Sequence, residues 1–124
     1  MGNPFVHIEL TTSDITKAKA FYSALFDWNL EDVPMGGGAT YTMIKVGEGQ
    51  VPGGAGGGMF QMREAPPMWI AYVAVADVKA ACAKAKSLGA TIVREVTEVP
   101  GMGWFAIFSD PQGAMLALWQ AKGS

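Results

Sequence analysis

Two residues able to do acid–base chemistry stand close together near the N-terminus. His7 and Glu9 lie in an alternating run from Phe5 to Leu10 that predicts a β-strand. Because successive residues of a strand point to opposite faces, both side chains project from one face. A neighbouring carboxylate raises the proton affinity of a histidine, which suits a general base. The same pair is also typical of two polar side chains that satisfy hydrogen bonds inside a fold, and this interpretation stays open.

The other chemical candidates have simpler structural interpretations. The run from Gly53 to Gly58 lacks the Gly-Lys-Ser/Thr ending of a phosphate-binding loop, and a bulged or closely approached strand explains it better. Cys82 lies on the apolar stripe of a predicted helix and is expected in the core. Ser109 lacks the context of a nucleophile elbow. His7 and Glu9 are therefore the candidate catalytic residues.

Composition bounds the class of protein. The chain has 124 residues, of which 50% are hydrophobic and 16% charged, with a net charge of −2. These values predict one globular domain, 1–124, and argue against a nucleic-acid partner. No apolar run reaches the ~18 residues of a membrane helix, and the N-terminus lacks a signal-peptide pattern. A single cysteine fits a reducing compartment, so we expect a cytoplasmic protein that contacts no membrane.

Hydrophobic periodicity predicts the same order of elements twice. Asp14, beside Ser13, and Asp77 are N-cap candidates, each preceded by a strand and followed by a helical stripe. A polar connector, 63–67, separates module one, 1–63, from module two, 67–124. Neither module buries its apolar sheet face alone, so the two are expected side by side. The predicted strands cover 5–10, 28–33, 40–46, 59–62, 68–75, 91–96 and a terminal hairpin within 104–119.

The helices are predicted from apolar stripes. The first stripe consists of Ile15, Ala18, Phe21, Tyr22, Leu25 and Phe26. The second consists of Val78, Ala81, Cys82, Ala85 and Leu88, and Gly89 suits the position just after the helix.

The terminal hairpin carries a resemblance to a known family. Asp110-Pro111-Gln112-Gly113 is a turn signature between two apolar runs, and the second run ends at Gln120. Together with Asp14-Ile15…Phe21-Tyr22 and Leu88-Gly89-Ala90, this order resembles the vicinal oxygen chelate superfamily of glyoxalases, bleomycin resistance proteins and dioxygenases. The resemblance implies an α+β fold in which two tandem βαβββ modules form a curved mixed-sheet cup with helices packed on the outside. It also implies a homodimer.

The resemblance implies metal-ligand positions on four strands, and this chain departs from them. The first-strand position is His7, and the fourth-strand position falls near Gln61. The fifth-strand position lands on Ala71 or its neighbour Tyr72, and the eighth-strand position lands on Ala117. Alanine offers no donor atom, and catalytic zinc usually takes three protein ligands. We therefore expect no metal cofactor, with His7 and Gln61 as remnants of the metal positions.

Strand alternation also predicts what lines the cup. Few polar groups within an apolar wall are typical of a small-molecule pocket, although the same side chains could simply fill a core. The sequence therefore predicts a protein that binds a small, partly apolar organic molecule. The alternatives are a metal-dependent lyase, isomerase or ring-cleaving dioxygenase using His7 and Glu9, or a domain that only binds a partner protein. The predicted ligand contacts are Met59, Gln61, Trp69, Met115 and Trp119, with Val73 on the same wall.

Overall fold

The computed structural model describes residues 2–36, 38–47, 56–63 and 66–123. Within these ranges, two helices and eight strands occur in the order βαβββ, twice, which confirms the predicted α+β fold. The first set is β1 (Phe5–Thr12), α1 (Ile15–Leu25), β2 (Asn29–Gly36), β3 (Ala39–Lys45) and β4 (Gly56–Gln61). The second set is β5 (Met68–Ala74), α2 (Val78–Ser87), β6 (Thr91–Val99), β7 (Gly103–Ser109) and β8 (Met115–Ala121).

The chain forms two compact units. The N-terminal unit is His7–Ile70, and the C-terminal unit is Ala71–Ser124 together with Met1–Val6. The first residues join the C-terminal unit because the Asn3 side chain donates to the Ala74 carbonyl oxygen and the Ala74 N–H donates to the Pro4 carbonyl oxygen, both at 2.9 Å. No helix in the described part of the chain is long and apolar enough to cross a membrane.

The N-terminal unit contains a mixed sheet with the strand order β2-β3-β4-β1. β1 and β4 run parallel, whereas β3 is antiparallel to both of its neighbours. α1 covers one face of this sheet over the buried side chains of Leu10, Ile44 and Met59. The apolar stripe of α1 is only partly covered, because Phe21 and Leu25 are 60% and 57% exposed.

The C-terminal unit repeats this plan with the strand order β5-β8-β7-β6. β5 and β8 are parallel, and β7 is antiparallel to both β6 and β8. α2 packs on a core of Val78, Cys82, Ala106 and Leu118. Burial raises the pKa of the Cys82 thiol, and the negative charge of Glu95 adds to this effect. Cys82 is therefore a core residue, as its position on the stripe predicts.

The helix ends confirm the sequence signals. Asp14 and Asp77 are the N-caps, and their carboxylates accept from the N–H groups of Lys17 and Ala80 at 3.1 Å. Gly89 follows α2 with a φ of +103°, a conformation that favours glycine. The N–H groups of Gly89 and Ala90 then donate to the Lys86 and Ala85 carbonyl oxygens, which is the Schellman arrangement.

The terminal hairpin is also confirmed. The Asp110 carboxylate accepts from the N–H groups of Gln112 and Ala114, at 2.8 and 3.0 Å, and these bonds lower its pKa. Gly113 completes the turn with a φ of +100°.

Each unit ties its last strand to its helix with a glutamine. The Gln61 side-chain oxygen accepts from the N–H of Ile15 at 3.0 Å, and that of Gln120 accepts from the N–H of Val78 at 2.9 Å. Both acceptors satisfy the first N–H of a helix, which has no partner within the helix. The two glutamines are thus structural counterparts in the repeat, and they fix each helix to its own sheet.

We expect Gln120→Met to destabilise the protein by about 1 to 3 kcal/mol, because it leaves the Val78 N–H without its acceptor in a partly buried place. Urea unfolding of the full chain measures this change. Gln112→Met is the matched control, because Gln112 is exposed in the hairpin turn and its substitution should stay within about 0.5 kcal/mol. Equal effects at both positions would contradict the proposed role of Gln120.

Candidate functional site

His7 and Glu9 lie on the sheet face turned away from α1. In the β1–β4 ladder Leu10 is paired with Met59, and both are buried beneath the helix. His7 and Glu9 are paired with Gly56 and Gly58, so they occupy the opposite face. Both side chains are half-buried. The expectation that they share one face therefore agrees with the register of this sheet.

Tyr41 joins the two residues into one hydrogen-bonded row. The Tyr41 hydroxyl lies 2.6 Å from His7 Nε2 and donates to Glu9 Oε1 at 2.9 Å. The His7 and Tyr41 rings are stacked with their centroids 6.2 Å apart. Sequence reasoning missed Tyr41, because the alternation within 40–46 does not reveal which strand β3 lies beside.

The row also fixes the proton on His7. A phenol has one hydrogen, and that of Tyr41 is directed to the Glu9 carboxylate, so the Tyr41 oxygen accepts from His7 Nε2–H. Burial lowers the pKa of His7, which favours the neutral ring. We infer that the neutral ring carries its hydrogen on Nε2, the nitrogen that faces the Tyr41 oxygen.

Glycines allow this arrangement. A Cβ atom on Gly58 would overlap the Tyr41 hydroxyl and ring, so the phenol lies directly against the backbone of β4. A Cβ on Gly57 would stand 2.6 Å from the Ile8 carbonyl oxygen. The prediction of a closely approached strand is therefore confirmed for Gly57 and Gly58. The earlier residues of the run, 53–55, lie outside the described residues.

Phe60 adds an apolar surface to the same face. Its ring is stacked on Tyr41 with a centroid distance of 6.4 Å and an interplanar angle of 30°. Phe60 is paired with Thr11, which belongs to the same alternating set as His7 and Glu9. The face thus presents two aromatic rings beside the polar row.

Three of the predicted ligand contacts lie on the α1 side of the sheet, away from His7 and Glu9, and ligand binding by them stays a prediction. Met59 is fully buried in the core under α1, and Gln61 is bonded to the first N–H of that helix. Trp69 meets Tyr22 of α1, with its indole N–H 3.3 Å from the Tyr22 hydroxyl. In the parallel β1–β4 register, the odd-numbered residues of β1 are paired with the even-numbered residues of β4. Met59 and Gln61 are odd-numbered, so they lie on the face opposite His7.

In the C-terminal unit, Met115 and Trp119 lie on the face opposite α2. Leu118 is in the core beneath the helix, so its neighbours along β8 alternate to the other side. Val73 is paired with Leu118 and lies on the helix side, which corrects its predicted place beside Trp119. Tyr72, paired with Ala117, takes that position and is buried. Ligand binding by Met115 and Trp119 stays a prediction.

Comparison with known proteins identifies the family. A sequence model of the Glyoxalase/Bleomycin resistance protein/Dioxygenase superfamily matches residues 5–118. The chain belongs to this superfamily. CFP32 of Mycobacterium bovis, named as a candidate glyoxylase, is 36% identical over 122 residues, covering 93% of this chain and 44% of CFP32. The chain therefore spans less than half the length of the curated relatives it matches.

Solved structures show the same fold for the whole chain. The hypothetical protein BH1468 from Bacillus halodurans C-125 matches with a TM-score of 0.69 at 15% identity, covering 100% of this chain and 98% of that one. Methylmalonyl-CoA epimerase from Mycobacterium tuberculosis matches with a TM-score of 0.64 at 16% identity, covering 94% and 87%. Likeness at this level of identity establishes the glyoxalase-like fold alone.

The donor set of this superfamily member does not fit the metal site that the resemblance implies. His7 and Glu9 converge on the Tyr41 hydroxyl, the Gln61 oxygen is bonded on the other face of the sheet, and Ala117 has no donor. Within the described ranges, no three or more His, Cys, Asp or Glu side chains are grouped to hold a metal ion. Metal sites usually need three or four such ligands.

We expect His7 to make stability depend on pH. Because its pKa is lowered in the folded state, its contribution is fully present above about pH 6.5, the ordinary value, and is lost as the pH falls through the lowered folded-state pKa. His7→Gln should therefore flatten the fall in melting temperature between about pH 7.5 and 5.5. NMR of the untagged protein measures the pKa and the tautomer of the His7 ring directly, because the chain has one histidine. A ring titrating above about 6.5, or a hydrogen on Nδ1, would contradict this account.

Proposed function

We propose that this chain binds a small, partly apolar organic molecule at the face that carries His7, Tyr41 and Glu9, without a resident metal. The observation that carries the proposal is the continuous hydrogen-bonded row through the Tyr41 hydroxyl. A few fixed polar groups within an otherwise apolar surface are the usual composition of a small-molecule site. The rings of Tyr41 and Phe60 supply the apolar part.

The row is held in place before any ligand arrives. The phenol rests against Gly58, and its hydroxyl is held between an imidazole and a carboxylate, so its orientation is fixed from three sides. Binding to such a preorganised group avoids the entropy cost of ordering it. His7 is half-buried and neutral, which suits contact with an organic molecule better than a hydrated charge would.

Relatives support a small organic ligand. Two Streptomyces coelicolor methylmalonyl-CoA epimerase structures hold 2-nitronate-propionyl-CoA, and their chains share 15% identity with this one. These ligands belong to those proteins, and the ligand of this chain is proposed only as a class. A cytoplasmic location and a homodimer, expected from composition and family resemblance, belong to the same proposal.

A second candidate function is proton transfer, as in a lyase or isomerase. It is favoured by the two consecutive hydrogen bonds of 2.6 and 2.9 Å. When His7 takes a proton from a ligand, Nε2 would pass its own hydrogen to the Tyr41 oxygen, and Tyr41 would give its hydrogen to Glu9. The carboxyl group formed at Glu9 would return the proton in reverse. Deuterium uptake from solvent into a bound ligand distinguishes this function from binding alone.

We expect probe compounds such as phenol, indole and 2-naphthol to shift the backbone NMR signals of Gly58 and Phe60. Tyr41→Phe and His7→Ala should weaken their binding about tenfold, since one hydrogen bond contributes about 1 kcal/mol or slightly more. Both variants should remain folded, as circular dichroism can verify.

Tyr22→Phe is the matched control, because Tyr22 lies on the α1 side of the same unit. Like Tyr41→Phe, it removes one phenolic hydroxyl group, and this variant should bind the probes as the wild type does. Unchanged binding in Tyr41→Phe, or probe-induced shifts confined to α1, would overturn the proposal. If His7→Ala fails to fold and Tyr41→Phe still binds the probes as the wild type does, the row of His7, Tyr41 and Glu9 has a structural role and the proposal is wrong.

A further inference from the structure

We propose that the C-terminal unit carries a second binding surface, one that takes a planar aromatic group bearing a carboxylate. Arg94 would bind the anion, and Phe105 and Trp119 would contact the ring. This inference goes beyond the proposed function, which concerns the N-terminal unit. It rests on the backbone register at Arg94, on its contact with Phe105 and on the charges of the surrounding face.

An irregularity in β6 decides where Arg94 points. Ile92 is paired with Phe108, and both pack toward the α2 core. A regular ladder would then place Arg94 opposite Ala106, which is fully buried beneath the helix. The register shifts between Ile92 and Arg94, so Arg94 is instead paired with Ile107 on the opposite face. Bulges of this kind redirect side chains and are frequent beside active sites.

On this face, the Arg94 side chain lies over the Phe105 ring. Its guanidinium carbon is 5.6 Å from the centre of the Phe105 ring, within the range of a cation–π interaction. The Nε–H group is 3.5 Å from the Thr97 hydroxyl oxygen. Phe105 is paired with Trp119 across β7 and β8, and its ring centre lies 6.2 Å from that of Tyr72. The guanidinium is thus placed at the margin of an aromatic surface.

Trp119 is itself held in place by a close backbone contact. A Cβ atom on Gly103 would stand 2.8 Å from the Trp119 ring, so the indole lies against the β7 backbone. An aromatic ring resting on a glycine also occurs at Tyr41 and Gly58 in the other unit. In both cases the ring has little freedom left to lose when a ligand stacks on it.

The charges of this face suit an anion. Arg94 belongs to neither of the ion pairs Lys19–Asp32 and Lys45–Glu31. The residues that share this face by strand register are uncharged: Tyr72, Thr97, Phe105, Ile107, Met115 and Trp119. The planar fork of a guanidinium matches a carboxylate through two parallel hydrogen bonds. Because the whole chain has a net charge of −2, general attraction of anions would not explain binding here.

The test uses 2-naphthoate as the probe and 2-naphthamide as its uncharged counterpart, with titration calorimetry on the untagged full chain. We expect the wild type to bind naphthoate at least about tenfold more tightly than naphthamide. Arg94→Gln should remove this preference while leaving naphthamide binding unchanged. Arg94→Lys should retain only part of it, because an ammonium lacks the planar fork. Arg94 is exposed, so these variants should fold as the wild type does.

Arg63→Gln is the matched control, because Arg63 is the only other arginine and the substitution changes the net charge equally. It should bind naphthoate as the wild type does. Equal losses in Arg63→Gln and Arg94→Gln, or no naphthoate preference in the wild type, would overturn the inference. Loss of naphthoate binding in Tyr41→Phe but not in Arg94→Gln would also overturn it, because the probe would then occupy the site of the proposed function.

Discussion

The contact between the Tyr41 ring and the backbone at Gly58 is the constraint on which the candidate site depends. Only a residue without a Cβ atom leaves room for the phenol at this place, where its hydroxyl contacts both His7 Nε2 and Glu9 Oε1. The contact therefore converts two residues of β1 into a hydrogen-bonded row of three. It also favours a hydrogen on Nε2 of His7, since the single phenolic hydrogen is directed to the carboxylate. A backbone feature thus positions the phenol on which the row depends.

The two modules share their structural hydrogen bonds but not their chemistry. Asp14 and Asp77 cap the helices, and Gln61 and Gln120 accept from the first helical N–H groups. Aligning the caps puts Ile70 at the position of His7 and Tyr72 at that of Glu9. The hydrogen bonds that fix a helix to its sheet occur in both units, because each unit needs them to hold its helix in place. The faces opposite the helices differ: one carries the row of His7, Tyr41 and Glu9, and the other carries an aromatic surface with one arginine.

The order of elements could be predicted from the sequence because its signals are local: the caps, Gly89 after α2 and the Asp-Pro-x-Gly turn each act within a few residues. The composition of the site could not be predicted from the sequence, because it depends on the register between strands that are distant in the chain. Alternation showed that His7 and Glu9 share a face, but it could not show that Phe60, and not Met59 or Gln61, lies beside them. Alternation likewise could not show that Trp69 contacts Tyr22 of α1. Tyr41 required knowledge of the β3–β4 pairing, and Arg94 depends on a bulge that reverses the simple alternation of β6.

The central claim is that His7, Tyr41 and Glu9 act as a hydrogen-bonded row in place of the metal site implied by the family. The most direct test is elemental analysis of untagged, as-purified protein, with melting temperatures measured after adding Zn²⁺, Ni²⁺, Mn²⁺ or Fe²⁺. A metal that binds only the folded state must raise the melting temperature. The account predicts metal well below one equivalent and no such rise. Near-stoichiometric metal that is lost in His7→Ala would contradict it.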